Sequence, residues 1–250
     1  MTEMLIPAFL FVLLGLAVGS FGNVLLVRLK SGESLWGRSR CVSCRRTIPW
    51  YDLLPVVSYV FLWGRCRKCH THISLQYSLV ELGSTALFFL ALMLHQQDLL
   101  LAGALAVLFS FLFFACVFDA RYQRIPDLFT AVIALAALAI VLRQRTLFDS
   151  LLGATSPLVW FGGQWALSRG RWVGAGDVLL ASALGFWLGA ERALVMLVLS
   201  YMVGAVVVTL LLVFRRLSLR QKHVAFVPFL AAASLLAYSG TGDLYLSLFH

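Results

Sequence analysis

The chain has 250 residues, 61% hydrophobic and 12% charged, with a mean hydropathy of +0.91, which excludes an ordinary soluble domain and marks a polytopic membrane protein. A net charge of +9 and a pI near 9.8 suit nucleic-acid binding in principle, but a bilayer protein that keeps its arginines on one side reaches the same totals. Distribution along the chain therefore decides, and no nucleic-acid partner is expected.

The first run, "MLIPAFLFVLLGLAVGSFGNVLLV", lacks a basic n-region and an Ala-x-Ala cleavage site and is too long for a signal-peptide core, so a retained first span is expected near 4–27. Crossing the bilayer takes roughly 20 apolar residues. Further runs near 77–95, 99–118, 127–142, 147–167, 177–190, 193–214 and 224–240 qualify, the 177–190 run being short enough to be tilted, re-entrant or longer than drawn. The expected fold class is all-α, a membrane helical bundle of about eight transmembrane helices. Its expected organisation is a first helix in 1–29, a small cytoplasmic zinc-ribbon-like domain in 30–76 and a helical membrane domain in 77–250, with no internal repeat.

Basic residues orient this map. One side collects nine Lys and Arg between Arg28 and Lys68, together with Arg121, Arg124, Arg169, Arg171, Arg215, Arg216, Arg220 and Lys222, while the other holds Arg143, Arg145 and Arg192. The positive-inside rule puts the first set in the cytoplasm and both termini outside.

Segment 30–76 carries four of the five cysteines, as "CVSC" (Cys41, Cys44) and "CRKC" (Cys66, Cys69). Four thiolates in two such knuckles suit a closed, tetrahedral structural Zn2+ site, which leaves no open position for catalysis. A domain of about 45 residues buries little core, so metal binding would supply its folding energy. Free thiols or a redox pair are the alternative. His70 and His72 could replace a sulfur, but four cysteines suffice, and Cys116 reads as a small buried residue. Arg45, Arg46, Arg65, Arg67 and Lys68 surround the knuckles, as the positive-inside rule already requires.

Among only eleven acidic residues, Asp119 follows "VLFSFLFFACVF" and Asp177 follows "GAG". Both belong at helix ends on the same membrane side. An ionisable group at that depth is a functional candidate, against the alternative of an interfacial or capping carboxylate. If the two meet around one water they share a proton: the ionised member activates the water as general base and the protonated member polarises a scissile carbonyl. Gly174 and Gly176 would let the backbone bend and approach a bound peptide. Asp127 follows Pro126 and is expected to cap the next helix, with a place in the active-site loop as the alternative. Gly15, Gly19 and Gly22 offer close-packing points on the first helix, and Asn23 would bond a neighbouring helix or a substrate backbone.

With these residues in view, the chain resembles the bacterial type IV prepilin peptidases, within the wider class of intramembrane aspartyl proteases that carry Gly-x-Gly-Asp. The likeness runs through "GSFGNVLLVRL", "CVSCRRTIPWYDLLPVVSYV", "GRCRKCHTHISLQYSLVEL", "FDARYQRIPD" and "GAGD", in the family's order. The resemblance implies that Asp119 and Asp177 are the catalytic aspartates. It also implies cleavage of the short basic leader of type IV prepilins or type II secretion pseudopilins, at the cytoplasmic face of the bacterial inner membrane. Many members also methylate the new N-terminal amine with S-adenosylmethionine, although no glycine-rich strand-to-helix loop of the dinucleotide type is visible here. The sequence departs from the family at Leu179, where a lysine is common, at Gln76, where an arginine is common, and at "AFVPF" in place of Pro-Phe-Gly-Pro-Phe.

The substrate helix is expected against the enzyme's own helices in the lipid bilayer, with Glu33, Asp52 and Glu81 as candidate leader contacts. Two other classes compete with the peptidase. A transporter would use Asp119 and Asp177 as an ion relay, yet both map to one membrane edge. A noncatalytic scaffold would dock a partner through its zinc domain and tolerate loss of either aspartate.

Overall fold

The computed structural model describes residues 4–214 and 224–239. Arg215, Arg216, Arg220 and Lys222 of the expected cytoplasmic set lie outside the described residues. Helices follow in the order α1 (Leu5–Ser31), α2 (Val57–Phe61), α3 (Gln76–Leu94), α4 (Leu99–Tyr122), α5 (Asp127–Gln144), α6 (Leu147–Ser168), α7 (Ala175–Leu188), α8 (Ala190–Val213) and α9 (Val227–Tyr238). All but α2 coincide with an expected span to within a few residues.

The chain is all-helical and multi-pass: α1, α3, α4, α5 and α8 are long and apolar enough to cross a membrane. The expectation of about eight full spans meets a limit in α7 and α9. They have 14 and 12 residues, or about 21 and 18 Å at 1.5 Å per residue, against about 30 Å of hydrocarbon. In α6, Asp149, Thr155, Ser156 and Gln164 dilute the apolar run.

Contacts divide the chain into two units that meet between Ser110 and Phe111, inside α4. In the first, α1 packs on α3 through glycine. A Cβ at Gly15 would lie 2.6 Å from the Thr85 Cα, and one at Gly19 equally close to the Glu81 Cα, the close approach that small residues allow between membrane helices. Asn23, buried, donates from Nδ2 to the Tyr77 carbonyl at 2.9 Å, which is the structural one of its two expected roles.

The cysteine domain between these helices contains a symmetry that the one-dimensional sequence hides. Arg40 pairs with Thr47, and Arg65 with His72, as isolated antiparallel bridges. The Cys41 N–H donates to the Arg46 carbonyl and the Cys66 N–H to that of Thr71, each at 3.0 Å. Arg45 and His70 occupy the same left-handed position, with φ of 59° and 55°. The expectation of no internal repeat is thus corrected: "RCVSCRRTI" and "RCRKCHTHI" are two copies of one knuckle, masked because only Arg, the two Cys and Ile coincide.

In the second unit, α6 and α7 cross where Gly153 faces Gly185, so closely that a Cβ on either would strike the other's carbonyl oxygen. Asp149 accepts from the Ala190 N–H at the start of α8 and from Arg145, both at 3.1 Å. Phe111, Phe114, Phe118 and Phe129 form a ring cluster joining the last turns of α4 to the first turn of α5.

Candidate active site and metal centre

Asp119 sits one turn before the end of α4. Gln123, at φ 51°, stops that helix and donates its N–H to the Asp119 carbonyl at 2.8 Å. Phe118 stacks edge-on against Tyr122 and Phe129, at ring separations of 4.7 and 5.9 Å, which fixes the rotation of this last turn. The Asp119 carboxylate is thereby buried, only 6% exposed. Its Oδ2 accepts from the Val227 N–H at 3.1 Å.

Asp177 is the third residue of α7. Its Oδ2 accepts from the Gly174 N–H at 3.2 Å, the carboxylate half of a capping box; glycine has no side chain to return the other half. The free N–H groups of this first turn favour negative charge at that position.

One contact joins the two motifs. A Cβ on Gly176 would fall 3.2 Å from the Ile125 Cβ, so the turn after Asp119 closes over the start of α7 with room for hydrogen only. The start of α7, which carries Asp177, thus lies against the turn that follows Asp119.

Asp127 is placed differently from the expectation. It is the first residue of α5, exposed, and Pro126 occupies the cap position with no side-chain hydrogen bond to the helix. The expected capping bond is therefore absent, because Pro126 already sets the extended entry at ψ 132° and leaves Asp127 inside the helix. Its remaining helical role is its charge at the positive end of the dipole. Two of the three candidate leader contacts are engaged internally: Asp52 pairs with Arg67 at 2.6 Å, and Glu81 is buried and accepts from the Val56 N–H at 2.8 Å. Glu33 is exposed, as is Leu179.

Sequence reasoning missed two participants. Ile125 was visible as an apolar side chain between Arg124 and Pro126 in a polar turn. Val227 acts through its backbone N–H, which leaves no side-chain signature. This also explains how "AFVPF" can differ from the family pattern and still meet Asp119: the donor is main chain, and Pro228 falls in the first turn of α9, where a missing N–H breaks no helical bond.

In the cysteine domain, the sulfurs of Cys41, Cys44, Cys66 and Cys69 all lie within 4.8 Å of one another, and those of Cys41 and Cys69 are 3.8 Å apart. A tetrahedron with metal–sulfur bonds of about 2.3 Å has sulfur–sulfur edges of roughly 3.8 Å, so the cluster can hold a metal ion. Hydrogen bonds from the Thr71 hydroxyl and then its N–H hold the Cys69 thiol well below its ordinary value, at about 6. Thiolate, the metal-binding form, thus prevails there at neutral pH.

Comparison with known proteins covers both segments. Residues 13–95, which include all four cysteines of the cluster, match the Bacterial Peptidase A24 N-terminal domain, and residues 106–209, which include Asp119 and Asp177, match the Type IV leader peptidase family. A prepilin leader peptidase/N-methyltransferase of Bacillus subtilis (strain 168) is 32% identical over 227 residues, covering 90% of each chain. The protein of the same name from Klebsiella pneumoniae is 37% identical over 191 residues, 71% of this chain and 83% of its own. That of Myxococcus xanthus (strain DK1622) is 37% identical over 188 residues, 72% of this chain but 56% of its own length. No solved structure matches.

Proposed function

This chain belongs to the type IV leader peptidase family, and on that premise we propose that it hydrolyses the leader of type IV prepilins or type II secretion pseudopilins, with Asp119 and Asp177 as the catalytic pair. The observation that supports the reading is the closure of the Ile125 turn over Gly176, which sets the start of α7, with Asp177, against the turn that follows Asp119. Each keeps one oxygen on a backbone N–H, so both side chains are oriented before substrate arrives.

In the proposed reaction the ionised member takes a proton from water, and the resulting hydroxide attacks the scissile carbonyl carbon. The protonated member hydrogen-bonds the carbonyl oxygen as negative charge develops there. Collapse of the tetrahedral intermediate breaks the C–N bond, and the leaving amine takes up a proton from the pair. Water has then added across the peptide bond, and the dyad is restored. Gly174 lets the Asp177 carboxylate approach its backbone, Gly176 admits Ile125, and Asp127, exposed at the start of α5, borders the same turn.

The cysteine cluster is proposed to hold structural Zn2+. The ion would fix both knuckles and take no part in hydrolysis. S-adenosylmethionine would serve the N-methyltransferase activity named for the relatives. The described residues hold no strand and no glycine-rich strand-to-helix turn to cradle it, so no step is assigned to it here. The proposed location is the bacterial inner membrane, with the aspartates and the cysteine domain on the cytoplasmic side, a reading that the distribution of Lys and Arg supports through the positive-inside rule.

The test compares wild type, Asp119→Asn and Asp177→Asn in reconstituted membranes with a prepilin substrate. Each substitution should lower cleavage by roughly 1,000-fold or more. Cleavage that survives both would remove the dyad from the mechanism.

A further inference from the structure

Segment 50–63 of the cysteine domain takes no part in the proposed hydrolysis, yet it carries several exposed apolar side chains. Trp50 is 77% exposed, Phe61 79% and Trp63 87%, with Leu54, Val57 and Val60 exposed between them. Large apolar side chains left exposed this densely along one short segment suit a surface that something covers.

One bond ties this segment to α3. The Val56 N–H donates to Glu81 Oε2 at 2.8 Å, and Glu81 lies five residues beyond the start of α3 at Gln76, about 7.5 Å along its axis. Val56 itself is held at φ 61°, ψ −46°, a left-handed backbone that is costly for a β-branched residue. The Val57 N–H closes the turn onto the Pro55 carbonyl at 2.6 Å. A buried carboxylate on a membrane helix thus pins a strained turn within the first turns of that helix.

Charge points the same way. Between Arg28 and Lys68 the chain has nine Lys and Arg against Glu33 and Asp52, and Asp52 is already paired with Arg67. Tryptophan and basic residues together make up the interfacial belts of membrane proteins, and basic side chains near the surface attract anionic headgroups.

We propose that residues 50–63 are an interfacial anchor that seats the cysteine domain on an anionic phospholipid surface, with Trp50, Phe61 and Trp63 at the boundary between headgroups and acyl chains. The anchor depends on the chain being a multi-pass membrane protein and is independent of the peptidase reading.

The test places the full chain in nanodiscs of phosphatidylcholine with and without phosphatidylglycerol, and subtracts the emission of a Trp50→Phe/Trp63→Phe variant from that of wild type. The difference emission should lose most of its intensity when the lipid is brominated near the headgroup, resist aqueous iodide, and resist it more with phosphatidylglycerol present. Trypsin cleavage after Arg65 and Lys68 should slow several-fold with the anionic lipid. Ready quenching by iodide without effect of brominated lipid overturns the proposal. So does shielding that appears only with an added prepilin substrate, or only when protein is crowded enough for copies to meet. Metal content equal to wild type certifies the fold of the variant; if the pair loses metal, Trp50→Phe and Trp63→Phe taken singly give the same difference.

Discussion

The two carboxylates and the four thiols are each gathered from distant stretches of chain, but by different forces. Asp119 and Asp177 stand at the ends of helices whose positions are set by packed side chains, and each carboxylate is aimed by a main-chain donor. The cysteine domain has almost no interior: between Gly32 and Leu75 only Gly64 is buried. Its knuckles close by a few backbone bonds, and packing offers little else. The lesson is that the site proposed for chemistry is preorganised by burial, whereas the domain without proposed chemistry has four clustered thiols that can hold an ion where a core would otherwise be needed.

Removing that ion should therefore produce the largest structural effect. Structural zinc sites carry apparent binding energies of about 10–16 kcal/mol, more than the stability of most small domains. A Cys41→Ser/Cys66→Ser variant should lose about one equivalent of metal, by elemental analysis, and become sensitive to protease between α1 and α3 while helical circular dichroism stays within about a fifth of wild type. A metal-free wild type that resists protease equally would break the contrast between the two regions.

The membrane unit should instead fail by overpacking. At the crossing of α6 and α7 the Gly153 and Gly185 backbones touch, so Gly185→Val should destabilise the unit by about 3 kcal/mol. It should lower the thermal midpoint in detergent with metal content unchanged. A smaller effect belongs to Gly176, where an added methyl would meet the Ile125 Cβ at 3.2 Å. Gly176→Ala should cost about 1 kcal/mol and several-fold in cleavage, and Ile125→Ala in the same chain should restore part of both. Additive losses in that double variant would show that the contact does not couple the two motifs.

Much of this was legible in the sequence because it depends on side-chain type. Helix positions follow from apolar runs, and the metal-binding cluster from two Cys-x-x-Cys pairs. What was not legible depends on backbone. The repeat of the knuckles lies in hydrogen bonds and in the left-handed Arg45 and His70, residue types that do not announce that conformation. The donor to Asp119 is an N–H that any residue but proline would supply at position 227. The short α7 and α9 read as spans because hydropathy registers apolar content, while their ends are set by Gly174 and Gly189 on one side and by Phe226 and Ser239 on the other.

Asp127 gives the smallest expected effect and separates chemistry from architecture most cleanly. It makes no capping hydrogen bond, and Pro126 already sets the entry to α5; what its charge contributes is attraction to the helix dipole, about 0.5 kcal/mol at an exposed site. Asp127→Asn keeps the shape and removes the charge, so the thermal midpoint should move by less than the error of most detergent measurements. Cleavage then reports on substrate alone. If Asp127 borders the bound leader, KM should rise a few-fold with kcat unchanged, because a charge contact made equally in ground and transition states lowers only binding. A fall in kcat matching that of Asp119→Asn would instead place Asp127 in the reacting group itself, and the proposed pair of Asp119 and Asp177 would have to be redrawn.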